Sequence, residues 1–257
     1  MSVEDDRYVD LTRPNFLRGQ LAEAEQQAIR HEFSSCVEEI LGKINDGKEA
    51  TVYLCRTRPD AGIGDYVAVK MYRARKFRAF ANDSSYTNPG KLRDRRKAKM
   101  LMQRSRRGRE AAHHLWIDRE WDTLNRLFAA GASVPQPHLR CDSGILMEFV
   151  GDDGAAAPKL SEVRLAQVDA QDAFRQIMRD VEILLDCRLV HGDLSAYNVL
   201  YVAGRTRLID LPQAVSIDVA PDPWSLFLRD VTNICDHFRR RGVERDALDV
   251  ALGLWRP

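Results

Sequence analysis

No apolar run in this chain reaches the roughly 20 residues a membrane helix needs, because charged side chains interrupt each hydrophobic stretch first. Paired Cys-x-x-Cys motifs are missing too. The five cysteines, Cys36, Cys55, Cys141, Cys187 and Cys235, are odd in number and widely spaced, which argues against a zinc site or a disulfide framework and predicts buried thiols. The start, Met1-Ser2-Val3-Glu4-Asp5-Asp6, lacks the basic and apolar parts of a secretory signal. A cytoplasmic location with no membrane partner is the resulting expectation. There is no internal repeat and no long low-complexity linker. What remains is 257 residues with 44% hydrophobic and 30% charged side chains, enough for one large core or two coupled lobes.

The net charge of +1 conceals a strong asymmetry. Residues 73–109 hold fourteen Lys or Arg against Asp83 and Asp94, so this segment carries about +12 and the remainder about −11. Three readings fit such a block: a flexible solvated insertion, an RNA-contacting surface, or a lid over anionic phosphates. Aromatic residues occur only at its start, as Phe77, Phe80 and Tyr86, so base stacking is not indicated.

Hydrophobic periodicity divides the rest. Leu17, Leu21, Ala24, Ala28 and Ile29 recur at helical spacing and predict an amphipathic helix over 15–33, within an N-terminal extension spanning 1–40. Two β-rich runs, 51–55 and 66–72, predict adjacent antiparallel strands. Ile117, Trp121, Leu124 and Phe128 predict a helix over 110–130 that Gly131 ends. A buried strand over 145–150 is followed by Gly151-Asp152-Asp153-Gly154, which marks a junction between a lobe at 41–150 and a second at 151–257. Apolar positions at Phe174, Ile177, Val181 and Leu184 predict one more helix over 165–187.

That helix leads into the most informative segment, Val190-His191-Gly192-Asp193-Leu194-Ser195-Ala196-Tyr197-Asn198-Val199-Leu200-Tyr201, with Arg207-Leu208-Ile209-Asp210 after it. In phosphoryl-transfer sites an Asp accepts the substrate hydroxyl's proton, an Asn five residues on holds a metal, and an Asp after the next strand holds the metal bridging the phosphates. Asp193, Asn198 and Asp210 stand at those spacings. Val199 to Tyr201 and Leu208-Ile209 read as paired strands around a turn at Ala203-Gly204, which would bring the metal-binding groups together. Two carboxylates and an amide oxygen suit Mg²⁺.

Two further groups join them. Lys70 ends the run Val67-Ala68-Val69-Lys70, like the strand whose Lys contacts nucleotide phosphates and pairs with a helix Glu. Glu120 falls inside the apolar stripe of its helix, where an unpaired carboxylate would be costly, so it is the expected partner; Asp118 suits a solvated role. The segment Asn45-Asp46-Gly47-Lys48-Glu49-Ala50-Thr51-Val52 keeps one glycine of a nucleotide-covering glycine loop and on its own reads as a β-turn.

Gly47-Lys48-Glu49-Ala50, Val69-Lys70, Met147-Glu148-Phe149, the His191-Gly192-Asp193-Leu194-Ser195 segment with Asn198, and Ile209-Asp210-Leu211-Pro212-Gln213 together resemble the RIO family of atypical protein kinases over about residues 40 to 240. Leu228-Arg229-Asp230-Val231 and the basic insertion extend the likeness, the latter to bacterial members. The resemblance implies an α+β, trimmed two-lobed kinase-like fold, with an antiparallel N-lobe sheet, one regulatory helix and a helical C-lobe. It also implies ATP with Mg²⁺ or Mn²⁺ and serine/threonine kinase or ATPase activity. Asp193 would be the catalytic acid/base or a phosphate acceptor, Asn198 and Asp210 would hold metal, and Lys70 would contact phosphate and pair with Glu120. Met147, Glu148, Phe149 and Val150 would line the adenine pocket with Val52 and Ala68, Gly47 to Ala50 would cover the triphosphate, and Ser195 would contact phosphate. Ribosomal RNA or a ribosome precursor would be met through 73–109.

Departures from ordinary protein kinases bear on the substrate. Leu211-Pro212-Gln213 stands where Phe-Gly is usual, no Ala-Pro-Glu follows, and the peptide-docking helices of a full C-lobe are not expected. Two alternatives are a small-molecule phosphotransferase of the aminoglycoside or choline kinase type and a nucleotide-switched scaffold for RNA or protein. Gly47-Lys48-Glu49-Ala50 and Leu211-Pro212-Gln213 argue against the first, and retention of Asp193, Asn198, Asp210 and Lys70 against full loss of chemistry in the second.

Overall fold

Strand parity organises the N-terminal half. A computed structural model describes residues 23–47, 49–72 and 106–256. Strands β1 (Val37–Asp46), β2 (Ala50–Thr57), β3 (Tyr66–Tyr72), β4 (Pro137–Arg140) and β5 (Gly144–Glu148) form one antiparallel sheet in the order β1-β2-β3-β5-β4. Successive side chains in a strand point to opposite faces. Tyr53, Cys55, Val67, Val69, Met71 and Leu146 accordingly meet Ile29 of helix α1 (Glu23–Glu32) and Phe33 just after it on one face. Ala50, Ala68, Tyr72, Ile145 and Met147 belong to the main core on the other. Lys70 shares the parity of Ala68 and Tyr72, so its side chain is directed to the main-core face.

Helix α2 (Arg106–Ala129) packs Ile117, Leu124 and Leu127 into that core, and Gly131, at φ +84°, turns the chain out of it. Beyond β5 come a two-residue hairpin, β6 (Gly151–Asp152) with β7 (Ala155–Ala156), and a 3₁₀ turn at Leu160–Glu162. The C-terminal half is built on α3 (Gln167–Asp186), α4 (Pro223–Arg239) and α5 (Ala247–Leu254). Asp222 caps α4 by accepting from Ser225 N at 3.0 Å, with Pro223 in the first turn, where its missing N–H costs nothing. Phe174 of α3 meets Phe238 of α4 edge to face at 5.6 Å. The small strands β8 (Leu189–Val190) and β11 (Val215–Ser216) pair, and β9 (Val199–Val202) pairs with β10 (Arg205–Leu208). Ala203 and Gly204 both have positive φ, the geometry of a tight turn that matches strand twist. No described helix is long and apolar enough to cross a membrane.

The antiparallel sheet and helical second half bear out the α+β reading. Three local expectations need adjusting. Strand β1 (Val37–Asp46) was not foreseen. The N-terminal helix is seen over Glu23–Glu32, while 15–22 lie outside the described residues. Cys55, Cys187 and Cys235 are buried, but Cys36 and Cys141 are partly exposed. Residues 73–105 of the basic segment also lie outside the described residues.

Candidate active site

Between the sheet and the helical half lies a cleft of about 1080 Å³. Its roof carries Gly47, Glu49, Ala50, Val52, Ala68 and Lys70, and its back Met147, Glu148, Phe149 and Val150. Glu120 reaches in from α2, and Asp193, Asn198 and Asp210 line the floor. Ser195 does not line it, and Lys48 lies outside the described residues.

Lys70 is the centre of the charge network. Its Nζ donates to Glu120 Oε1 at 2.6 Å and to Asp210 Oδ1 at 2.9 Å, and it sits 5.5 Å from the centre of the Tyr72 ring. The Tyr72 hydroxyl donates to the other oxygen of Glu120, so both oxygens of a carboxylate only 3% exposed are satisfied. Burial alone would lower the Lys70 pKa, but attraction from Glu120 and then Asp210 outweighs it and the net shift is upward. The nearby Lys70 charge lowers the pKa of Asp210, and burial raises that of Tyr72 well above its ordinary value, with Glu120 adding to it. The amine is therefore held charged. Asp118 pairs with Arg140 at 2.6 Å, away from this network.

On the floor, Asn198 Nδ2 donates to Asp193 O at 2.7 Å and to its Oδ2 at 3.3 Å, which leaves Asn198 Oδ1 as the free acceptor of that amide. Ile209 N donates to Asn198 O at 3.0 Å, clamping the two ends of the β9–β10 hairpin. Asp210 has φ +64°, a conformation that Asp tolerates better than most residues but that still carries strain. Asn198 Oδ1 and the Asp210 carboxylate are hard oxygen donors. They fit a divalent ion that takes one or two protein ligands and fills its shell with phosphate oxygens and water.

Several residues that hold the site had no role assigned to them from sequence, although Arg229, Asp230 and His191 stand within the motifs that carry the resemblance. Asp230 of α4 accepts from Gly192 N at 2.7 Å and Leu194 N at 2.9 Å, gripping the backbone on both sides of Asp193. Asn233 Nδ2 donates to Leu194 O at 3.0 Å, and Arg229 donates to Gly192 O. Burial pushes the Asp230 carboxyl up to about 6, against the pull of those backbone donors. His191 is buried, its pKa lowered by desolvation, and its Nε2–H donates to Ile209 O at 3.3 Å, tying the segment before Asp193 to the one before Asp210. Tyr197, 66% exposed, stands at the rim beside Asp193.

A sheet bearing a buried Lys–Glu pair, set over a helical half that presents Asp193, Asn198 and Asp210, is the trimmed form of the protein-kinase-like fold. The RIO domain family matches residues 51–251, and the chain belongs to that family. It is 36% identical over 208 residues to the serine/threonine-protein kinase rio1 of Schizosaccharomyces pombe, covering 79% of this chain and 39% of that protein. It is 32% identical over 213 residues to the RIO-type serine/threonine-protein kinase Rio1 of Methanocaldococcus jannaschii, covering 82% of this chain and 67% of that protein. A third relative, the serine/threonine-protein kinase RIO3 of Bos taurus, is 36% identical over 146 residues, 54% of this chain and 28% of its own length. The chain thus spans well under half of the eukaryotic relatives it matches.

Proposed function

We propose that this protein is an ATP-dependent serine/threonine kinase of the RIO type, working with Mg²⁺ or Mn²⁺. The observation that carries the reading is the meeting of Lys70, Asp193, Asn198 and Asp210, drawn from distant parts of the chain, on one cleft. In the proposed reaction a Ser or Thr hydroxyl oxygen bonds to the γ-phosphorus of ATP as its proton passes to Asp193. The bond between that phosphorus and the β,γ-bridging oxygen breaks, and ADP departs with the electron pair. Asn198 and Asp210 would hold the metal, whose charge would offset that of the phosphates. Lys70, kept in place by Glu120, contacts the phosphates, and Val52, Ala68 and Met147 to Val150 enclose the adenine.

Asp193 is exposed in the cleft, so direct attack of its carboxylate on the γ-phosphate is the companion route to ATP hydrolysis. Following the label of γ-labelled ATP separates the routes. Label on Ser or Thr of the protein itself or of an added protein supports the kinase. Label at Asp193 followed by free phosphate supports the ATPase, and label on a small alcohol alone overturns both. We further assign the basic segment 73–109 to a ribosomal RNA or ribosome-precursor partner in the cytoplasm, with lobes at 41–150 and 151–257 and an N-terminal extension at 1–40. RNA binding that fails to weaken steeply with salt would contradict that assignment.

A further inference from the structure

Lys159 is a cation in the cleft that the chemistry above does not use. It follows the β6–β7 hairpin, is half-buried, and lines the same cleft as Lys70 and Asp210. Its backbone is fixed from both sides. Ala157 N donates to Val150 O at 3.0 Å, joining the segment to the back of the cleft. Tyr201 N donates to Pro158 O at 3.0 Å, and Lys159 itself forms an antiparallel bridge with Leu200 of β9, just after Asn198. Lys159 N donates to Glu162 Oε2 at 3.2 Å, and Leu160 beside it is fully buried. A side chain rooted so firmly loses less freedom on meeting a ligand than one on a loose loop.

Its ammonium forms no ion pair with a carboxylate among the described residues, yet its charge is felt at Asp210, whose pKa it helps to lower. Lys70, by contrast, is shared between Glu120 and Asp210. Among the described residues that line the cleft, Lys70 is thus committed to two carboxylates and Lys159 to none. A solvated lysine would project from an exposed loop; this one is half-buried and held by four backbone hydrogen bonds and contacts to the walls of the site. A nucleoside triphosphate carries enough charge to engage two amines that line one cleft.

We propose that Lys159 is a phosphate-binding residue of the cleft, a second amine beside Lys70 for the nucleotide's phosphate chain. This rests on the nucleotide-binding reading above. It adds selectivity: a phosphate-free nucleoside gains nothing from Lys159, whereas a triphosphate gains a charge-assisted contact.

Titration of the full chain with Mg-ATP, Mg-ADP and adenosine, for wild type, Lys159→Met, Lys159→Gln and Lys159→Arg, tests it without reference to turnover. Thermal unfolding of each variant checks that the fold is kept. The expected result is about a tenfold loss of Mg-ATP affinity in both neutral variants, a similar or smaller loss for Mg-ADP, adenosine affinity within about twofold of wild type, and most of the ATP affinity retained by Lys159→Arg. Unchanged ATP binding in the neutral variants, or an equal loss for adenosine, overturns the inference and leaves the nucleotide reading standing. Wild type that binds Mg-ATP no better than adenosine removes the nucleotide reading and this inference with it.

Discussion

Lys70 of β3 and Asp210 beyond β10 are 140 positions apart in the chain, yet Nζ and Oδ1 lie 2.9 Å apart. One amine thus joins the sheet, through Glu120 the helix α2, and the floor of the cleft. Strand parity turns Lys70 toward the cleft, and the tight turn at Ala203-Gly204 returns the chain so that Asp210 can meet it.

Glu120 satisfies two buried donors, so its removal is expected to be costly. Glu120→Ala should lower stability by about 3 kcal/mol in urea denaturation, because Tyr72 loses its acceptor and Lys70 one of its two in a buried setting. The double variant Lys70→Met with Glu120→Leu should be less destabilised than the sum of its singles, the mark of a coupled pair. A loss under about 0.5 kcal/mol for Glu120→Ala would contradict the pairing, since that is the size of an ordinary surface change.

Gly144 of β5 pairs with Met71 of β3, the residue after Lys70. A Cβ there would stand 2.6 Å from Lys70 O and 3.0 Å from Met71 Sδ, and the first contact is backbone that cannot rotate aside. Gly144→Ala is expected to cost about 2 kcal/mol and to weaken nucleotide binding by displacing Lys70. Gly253 in α5 has nothing within 4 Å of its would-be Cβ. Gly253→Ala should be neutral or stabilise by up to about 1 kcal/mol, since alanine is the better helix former. Chemical denaturation of both variants checks the contrast.

The parts of this site that were legible in sequence are those whose geometry follows from spacing. Asp193, Asn198 and Asp210 are positioned by a short loop and a hairpin, and Glu120 by its place in the apolar stripe of a helix. β1 was not legible because three irregularities in its pairing, between Val37 and Glu39, Ile40 and Gly42, and Lys43 and Asn45, break the period of two that marks a strand. Asp230 stands within a motif of the resemblance, but its role was not legible because its partners are backbone N–H groups, which carry no residue identity. Lys159 is placed by its bridge to Leu200 and by loop hydrogen bonds, contacts without periodicity.

Asp230 should also mark the pH dependence of stability. Its carboxyl moves from 3.8 to about 6 on folding, because burial disfavours the charged form more than the Gly192 and Leu194 donors favour it. Between those values the native state holds a proton that the unfolded chain has released, so stability from this group is full below pH 4 and falls as pH rises to 6. The fall amounts to about 3 kcal/mol, after which it is level. Urea midpoints of wild type and Asp230→Asn, measured from pH 4 to 7, should therefore show wild type losing ground to the variant across that window. A constant difference would contradict the assignment. The variant should also lose turnover through a mispositioned Asp193, with nucleotide affinity less affected.

The central claim is that the metal-nucleotide site and the proton acceptor are separate side chains on one floor. Binding of ATP with and without Mg²⁺, alongside turnover, for wild type, Asp193→Ala and Asp210→Ala tests it most directly. The account predicts that Asp210→Ala loses the metal-dependent part of ATP affinity, while Asp193→Ala binds Mg-ATP about as wild type does and loses turnover by at least about a hundredfold. Asp210→Ala with unchanged Mg-ATP affinity, or Asp193→Ala with unchanged turnover, would contradict it.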